Sequence, residues 1–106
     1  MSVATTVDQK IASKKVIMYS KSYCPFCTKA KKAFQDLLND GTLSKNDYEV
    51  VEIENDPNCD AIQDYMKTKT GGRSVPRVFI NGKFIGGGDE TAQMKSTGKL
   101  TELVKA

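Results

Sequence analysis

Cys24-Pro25-Phe26-Cys27 sets two thiols three positions apart. At this spacing one sulfur attacks a disulfide and the other displaces it from the mixed disulfide that forms. Such chemistry needs an exposed, ionised attacker. With Cys24 as the N-cap of a helix, its sulfur lies near the free N–H groups of Phe26 and Cys27, where N–H···S bonds and the helix dipole favour the thiolate. Lys21 adds a positive charge on the same turn, and Cys27, one helical turn in, is the shielded partner. The chain has no histidine, so the thiol must be activated without an imidazole, and triads that depend on one are excluded. The rival use of a CxxC is half of a zinc site. Four-ligand zinc needs a second Cys or His pair, and Cys59 alone remains, so no metal is expected.

The flanking segments supply the elements that position this pair. Val16-Ile17-Met18-Tyr19 is a continuous apolar run suited to a strand covered on both faces, here the central one. Pro25 fits a first helical position, and Ala30, Ala33, Phe34, Leu37 and Leu38 form one stripe, predicting a helix over 25–39 closed by Gly41. Tyr48, Val50, Val51 and Ile53 mark a second strand, parallel to the first because a helix crosses between them. Asp56-Pro57 reads as a cap and first helical residue, with Ala61, Ile62, Tyr65 and Met66 on the buried face. Asn81-Gly82 joins Arg77–Ile80 to Lys83–Ile85 as a type I′ hairpin. Asp89 is expected to cap a helix through Lys95, and Leu100, Leu103 and Val104 close the chain on a last helix after Gly98. Ahead of everything, Val3, Val7 and Ile11 predict a short peripheral helix within residues 1–15. The expectation is an α/β layering: a four-stranded mixed sheet, a parallel β-α-β unit plus an antiparallel β-hairpin, flanked by helices.

The 106 residues form one domain, 1–106, large enough to fold without staples. No apolar run approaches the roughly 20 residues of a membrane-crossing helix. Sixteen basic against thirteen acidic residues leave +3, with only Arg73 and Arg77 as arginines. That excess favours small anions and is too weak to argue for nucleic acid. Lys29, Lys31 and Lys32 read as the wet face of their helix. Three cysteines suit a reducing compartment better than a secreted disulfide framework, and the opening residues carry no export signal, so a cytoplasmic location is expected. Cys59 has no partner at useful spacing.

Taken together, Lys21-Ser-Tyr-Cys-Pro-Phe-Cys27 and Ser74-Val-Pro-Arg-Val-Phe-Ile-Asn-Gly-Lys-Phe-Ile-Gly-Gly-Gly-Asp-Glu90 resemble a dithiol glutaredoxin of the thioredoxin superfamily over about residues 16–106. Thioredoxins are similar in fold but usually carry Trp-Cys-Gly-Pro-Cys, and this chain has no tryptophan. The resemblance implies a thioredoxin-like fold and a glutathione-dependent disulfide reductase acting as a monomer, with no nucleic-acid or membrane partner. Cys24 would attack protein–glutathione mixed disulfides, and a second glutathione would release it. Cys27 would resolve mixed disulfides with protein substrates. Glutathione has two carboxylates and one amine, so its site needs cationic and N–H groups at one end and an acid at the other. Lys21 meets the glycine carboxylate, with Gln63 and Arg73 on the same side. Val75, before a Pro76 that family members hold cis, offers its backbone to the extended tripeptide. Gly87 and Gly88 allow close approach, the Gly88 and Asp89 N–H groups hold the γ-glutamyl carboxylate, and Asp89 or Glu90 pairs with the amine. Tyr23 and Phe26 wall the site.

Three positions depart from the family pattern. Phe26 replaces a common Tyr, Gly88 stands where Asn, Cys or Ser is frequent, and Glu90 where Asp is common. A rival function is a [2Fe–2S] carrier in which Cys24 of two chains and two glutathiones hold the cluster. Pro25 argues against it, since cluster-binding relatives more often have Gly or Ser there. A third reading, a non-catalytic binding module, requires an unreactive Cys24.

Overall fold

The computed structural model describes residues 2–106. Its elements are α1 (Val3–Ser13), β1 (Val16–Ser20), α2 (Pro25–Asn39), β2 (Tyr48–Glu52), α3 (Cys59–Thr70), β3 (Arg77–Ile80), β4 (Lys83–Gly86), α4 (Gly88–Thr97) and α5 (Lys99–Lys105), with a 3₁₀ turn at Lys45–Asp47. The strands lie in the order β2-β1-β3-β4. β1 pairs in parallel with β2, and the β1–β3 and β3–β4 pairs are antiparallel. The α/β layering and the mixed sheet expected from the sequence are both present.

β1 explains why its sequence is apolar without alternation. Val16 and Met18 face one layer, packing with Phe34, Leu37, Val78 and Leu100, while Ile17 and Tyr19 face the other, with Val7, Ile11, Ile62, Met66 and Phe79. Successive side chains point to opposite faces, so a strand covered on both sides has no polar position to spare. The hairpin turn follows its dipeptide: Asn81 and Gly82 take φ of 52° and 80°, a type I′ pattern that Gly82 adopts without steric cost.

The burial of one helix and the starts of two others differ from expectation. α1 is not peripheral: Val7 and Ile11 are buried in the second core layer, so its apolar face is part of the body. α3 begins at Cys59 after Asn58, because the Asp56 side chain is spent on the Asn58 N–H at 2.7 Å in a preceding turn rather than on the helix. α4 starts at Gly88 with Gly87 as N-cap and runs to Thr97. Asp89 lies inside its first turn, and Glu90 supplies the side chain that reaches back to the Gly87 N–H, at 2.7 Å.

Candidate active site

β1 ends at the buried Ser20, and the chain turns through Lys21–Tyr23 into α2. The turn closes with the Cys24 N–H donating to the Lys21 carbonyl at 3.1 Å. Cys24 is the N-cap of α2, with φ −88° and ψ 119°, and Pro25 follows where a missing N–H costs no helical bond. The Cys27 N–H donates to the Cys24 Sγ at 3.4 Å, so the sulfur takes up one of the orphan donors of the helix start. Cys24 is half-buried, with Tyr23 and Phe26 exposed beside it at 70% and 54%. Large apolar side chains left in water next to a thiol form a surface suited to partners.

Cys27 is in the opposite situation. It is fully buried, and burial pushes its thiol above the ordinary value, against the Lys21 N–H at 3.5 Å and the Ser20 hydroxyl, which pull it down. The neighbouring Cys24 adds to the rise. Cys27 therefore keeps its proton near neutrality, and the two sulfurs are differentiated by depth.

A cleft of about 290 Å³ opens beside the thiols. Seven of the residues predicted for the site line it: Phe26, Val75, Pro76, Gly87, Gly88, Asp89 and Glu90. The Val75–Pro76 bond is cis, and the Cys24 Sγ–H donates to the Val75 carbonyl at 3.7 Å, joining the cleft edge to that thiol. The start of α4 approaches α2 so closely that a Cβ at position 88 would lie 2.5 Å from the Phe26 carbonyl oxygen, which accounts for Gly88 on packing grounds. Glu90 is occupied by the Gly87 N–H, and Asp89 pairs with Lys29 at 2.7 Å on the surface.

Lys21, Tyr23, Gln63 and Arg73 do not line that cleft. Lys21 and Tyr23 are held on the turn just before Cys24. Gln63 is buried, contrary to the surface position that a helix polar residue suggests. Its amide donates to the Arg73 carbonyl at 2.8 Å, and its Oε1 accepts from Cys59 at 3.5 Å, so it braces the loop beneath Arg73. The Arg73 guanidinium is directed to Asp64 at 3.3 Å.

Sequence reasoning missed Ser22 and Glu54. The Ser22 N–H donates to Glu54 Oε1 at 3.2 Å, and its hydroxyl donates to Oε2. The signal was available in the register: parallel pairing of Ser20 with Glu52 brings the residues following β2 alongside those following β1.

The Glutaredoxin family model matches residues 16–85. Glutaredoxin-C6 of Oryza sativa subsp. japonica is 42% identical over 96 residues, covering 91% of this chain and 80% of the relative. Among solved structures, oxidized glutaredoxin 2 from Chlamydomonas reinhardtii superposes with a TM-score of 0.85 at 52% identity, over 97% of this chain and 91% of that one. A buckwheat glutaredoxin–glutathione complex superposes at 0.84 with 34% identity, over 96% and 86% of the two chains.

Proposed function

The chain belongs to the glutaredoxin family of thiol–disulfide oxidoreductases, and on that premise we propose that it reduces protein–glutathione mixed disulfides with Cys24 as nucleophile and glutathione as co-substrate. The observation that carries this reading is the Cys24 sulfur at the head of α2, accepting the Cys27 N–H at 3.4 Å beside an open cleft. A helix start of this kind favours the anion, and only the anion attacks.

The Cys24 thiolate attacks the glutathionyl sulfur of the mixed disulfide. The protein sulfur leaves as a thiolate and takes a proton from water, while Cys24 carries the glutathionyl group. The thiolate of a second glutathione attacks that group, giving glutathione disulfide and restoring the Cys24 thiolate. When a protein disulfide is the substrate, Cys27 loses its proton and attacks Cys24 in the protein–Cys24 mixed disulfide. The client is released and a Cys24–Cys27 disulfide forms, which two glutathiones reduce.

Glutathione lies extended along Val75, whose backbone pairs with it as an added strand would. The Gly88 and Asp89 N–H groups at the start of α4 take the γ-glutamyl carboxylate, since no intrahelical acceptor claims them. Asp89 is the better partner for the amine, because Glu90 is committed to the Gly87 N–H and Asp89 has only an exposed lysine to exchange. Lys21 takes the glycine carboxylate. The supporting parallel is the buckwheat relative solved as a glutathione complex.

Turnover of a small glutathione mixed disulfide by Cys24→Ser and Cys27→Ser variants tests the assignment. The first is expected to be inactive, and the second to keep activity within about threefold, because the deglutathionylation route needs one thiol. Equal loss in both would overturn the one-thiol step.

A further inference from the structure

The segment Lys21–Tyr23 carries two of the residues assigned to the site and delivers the third, Cys24. Very little holds it. Among the described residues, neither the Lys21 ammonium nor the Tyr23 hydroxyl has a hydrogen-bond partner. The Lys21 N–H and carbonyl bond only to Cys27, Cys24 and Ser20, all within the same turn and helix start. Among the described residues, the one hydrogen-bonded tie from 21–23 to a separate part of the fold is Ser22 to Glu54. There a single carboxylate receives both the backbone N–H and the side-chain hydroxyl of one residue.

Glu54 is itself well placed to act as an anchor. It follows β2 directly, and the Ile53 N–H donates to the Ser20 carbonyl at 2.9 Å, carrying the β1–β2 pairing up to the start of the turn. The Asp56 N–H closes on the Ile53 carbonyl at 3.0 Å, so Glu54 sits within a tight turn of its own. The Ser22 hydroxyl holds the Glu54 carboxyl below its usual range, so it stays ionised at neutral pH and presents two acceptor oxygens.

We propose that Glu54 is a positioning residue of the active site: by clamping Ser22 at both its backbone and its side chain, it fixes the turn that presents Lys21, Tyr23 and Cys24 to the glutathione cleft. The inference rests on the proposed function for its kinetic consequence, though not for the clamp itself. Charge-assisted hydrogen bonds are the strong ones, and here both act on a residue two positions from the nucleophile. Without them Lys21 would sample orientations away from the bound carboxylate, and glutathione binding would suffer more than the chemical step.

The test compares wild type with Glu54→Ala, Glu54→Gln, Ser22→Ala and the Ser22→Ala/Glu54→Ala double variant, measuring kcat and KM for glutathione along with amide hydrogen exchange. Glu54→Ala is expected to raise KM about fivefold with kcat changed less than about twofold, the loss of one to two charge-assisted bonds being felt mainly in binding. Ser22→Ala should act in the same direction and less, since its N–H still bonds to the carboxylate. The double variant should be no worse than Glu54→Ala alone, as expected for two ends of one interaction. Glu54→Gln keeps an acceptor and should fall between. The Ser22 and Cys24 amides should exchange at least about fivefold faster in Glu54→Ala, with α5 amides unchanged. Additive effects, or an unchanged KM in a folded Glu54→Ala protein, would overturn the positioning role. If wild type itself fails to turn over a glutathione mixed disulfide, the proposed function falls. The clamp is then judged on exchange alone: selective loss of protection at Ser22 and Cys24 supports it, and equal protection refutes it.

Discussion

Two cysteines of this chain stand at helix starts and are similarly half-buried, yet their surroundings differ. Cys24 is the N-cap of α2, and its sulfur accepts an N–H from within the helix. Cys59 is the first residue inside α3, after Asn58, and its thiol instead donates to the Gln63 side chain one turn on. An N–H directed at a sulfur is a contact that stabilises negative charge arising there during attack. Asp60 in the first turn of α3 places an acid beside Cys59, where α2 has no acid in its first turn. Exposure and nearness to a helix start do not, then, make a nucleophile. Both sulfurs have an acceptor within reach, Val75 for Cys24 and Gln63 for Cys59, and the geometry that separates them is the helix N–H that only the Cys24 sulfur receives among the described residues.

The largest effect that would break this contrast is the loss of Cys24. Cys24→Ser should lower glutathione mixed-disulfide turnover by roughly 10³-fold or more, because the weak hydroxyl nucleophile has no general base beside it. Residual turnover that disappears only on mutation of Cys59 would invert the roles of the two helix starts. Next in size is a pH effect from the buried member of the pair. Burial raises the Cys27 thiol above its ordinary value, so its attacking form is scarce at neutrality and grows as pH rises. Formation of the Cys24–Cys27 disulfide from a protein mixed disulfide should accelerate about tenfold per pH unit between pH 6 and 8, followed by rapid quench and mass analysis. A flat profile would mean that a neighbouring group takes the proton. Lys21→Ala should raise KM for glutathione about three- to tenfold, the range of a partly exposed charge contact, and steady-state titration of glutathione decides it. Cys59→Ser should be the quietest, with kcat/KM within about 1.5-fold of wild type, as for a surface change outside the site.

The contrast also shows what the sequence made legible. β1, α2 and the Asn81-Gly82 turn could be read correctly because each is governed by local rules: an apolar run, a stripe opened by Pro25, and a dipeptide that tolerates positive φ. The starts of α3 and α4 were misplaced because Asp56 and Asp89 are good caps in isolation, and the cap that forms depends on tertiary geometry. Asp56 folds its side chain into the preceding turn, while close packing against Phe26 leaves Gly87 and Gly88 to begin α4. Part of the candidate site shows the same division. Phe26, Val75–Pro76 and the glycine turn belong to contiguous signals that fold onto one cleft, and Cys24 meets its edge at the Val75 carbonyl. Gln63 is a polar residue on a helix, and nothing in its neighbours reveals that it would be buried as a brace under Arg73. Glu54 lies 32 positions from Ser22, and only the parallel register of β1 and β2 joins them.

The most direct test of the account is the alkylation of reduced protein by iodoacetamide at pH 6, with the modified thiols quantified by peptide mass spectrometry over time. The start of α2 should make Cys24 label at least about tenfold faster than Cys59, since only the thiolate reacts and the two thiols are comparably exposed. Equal rates, or Cys59 labelling first, would contradict the claim that the α2 N-terminus carries the reactive thiol.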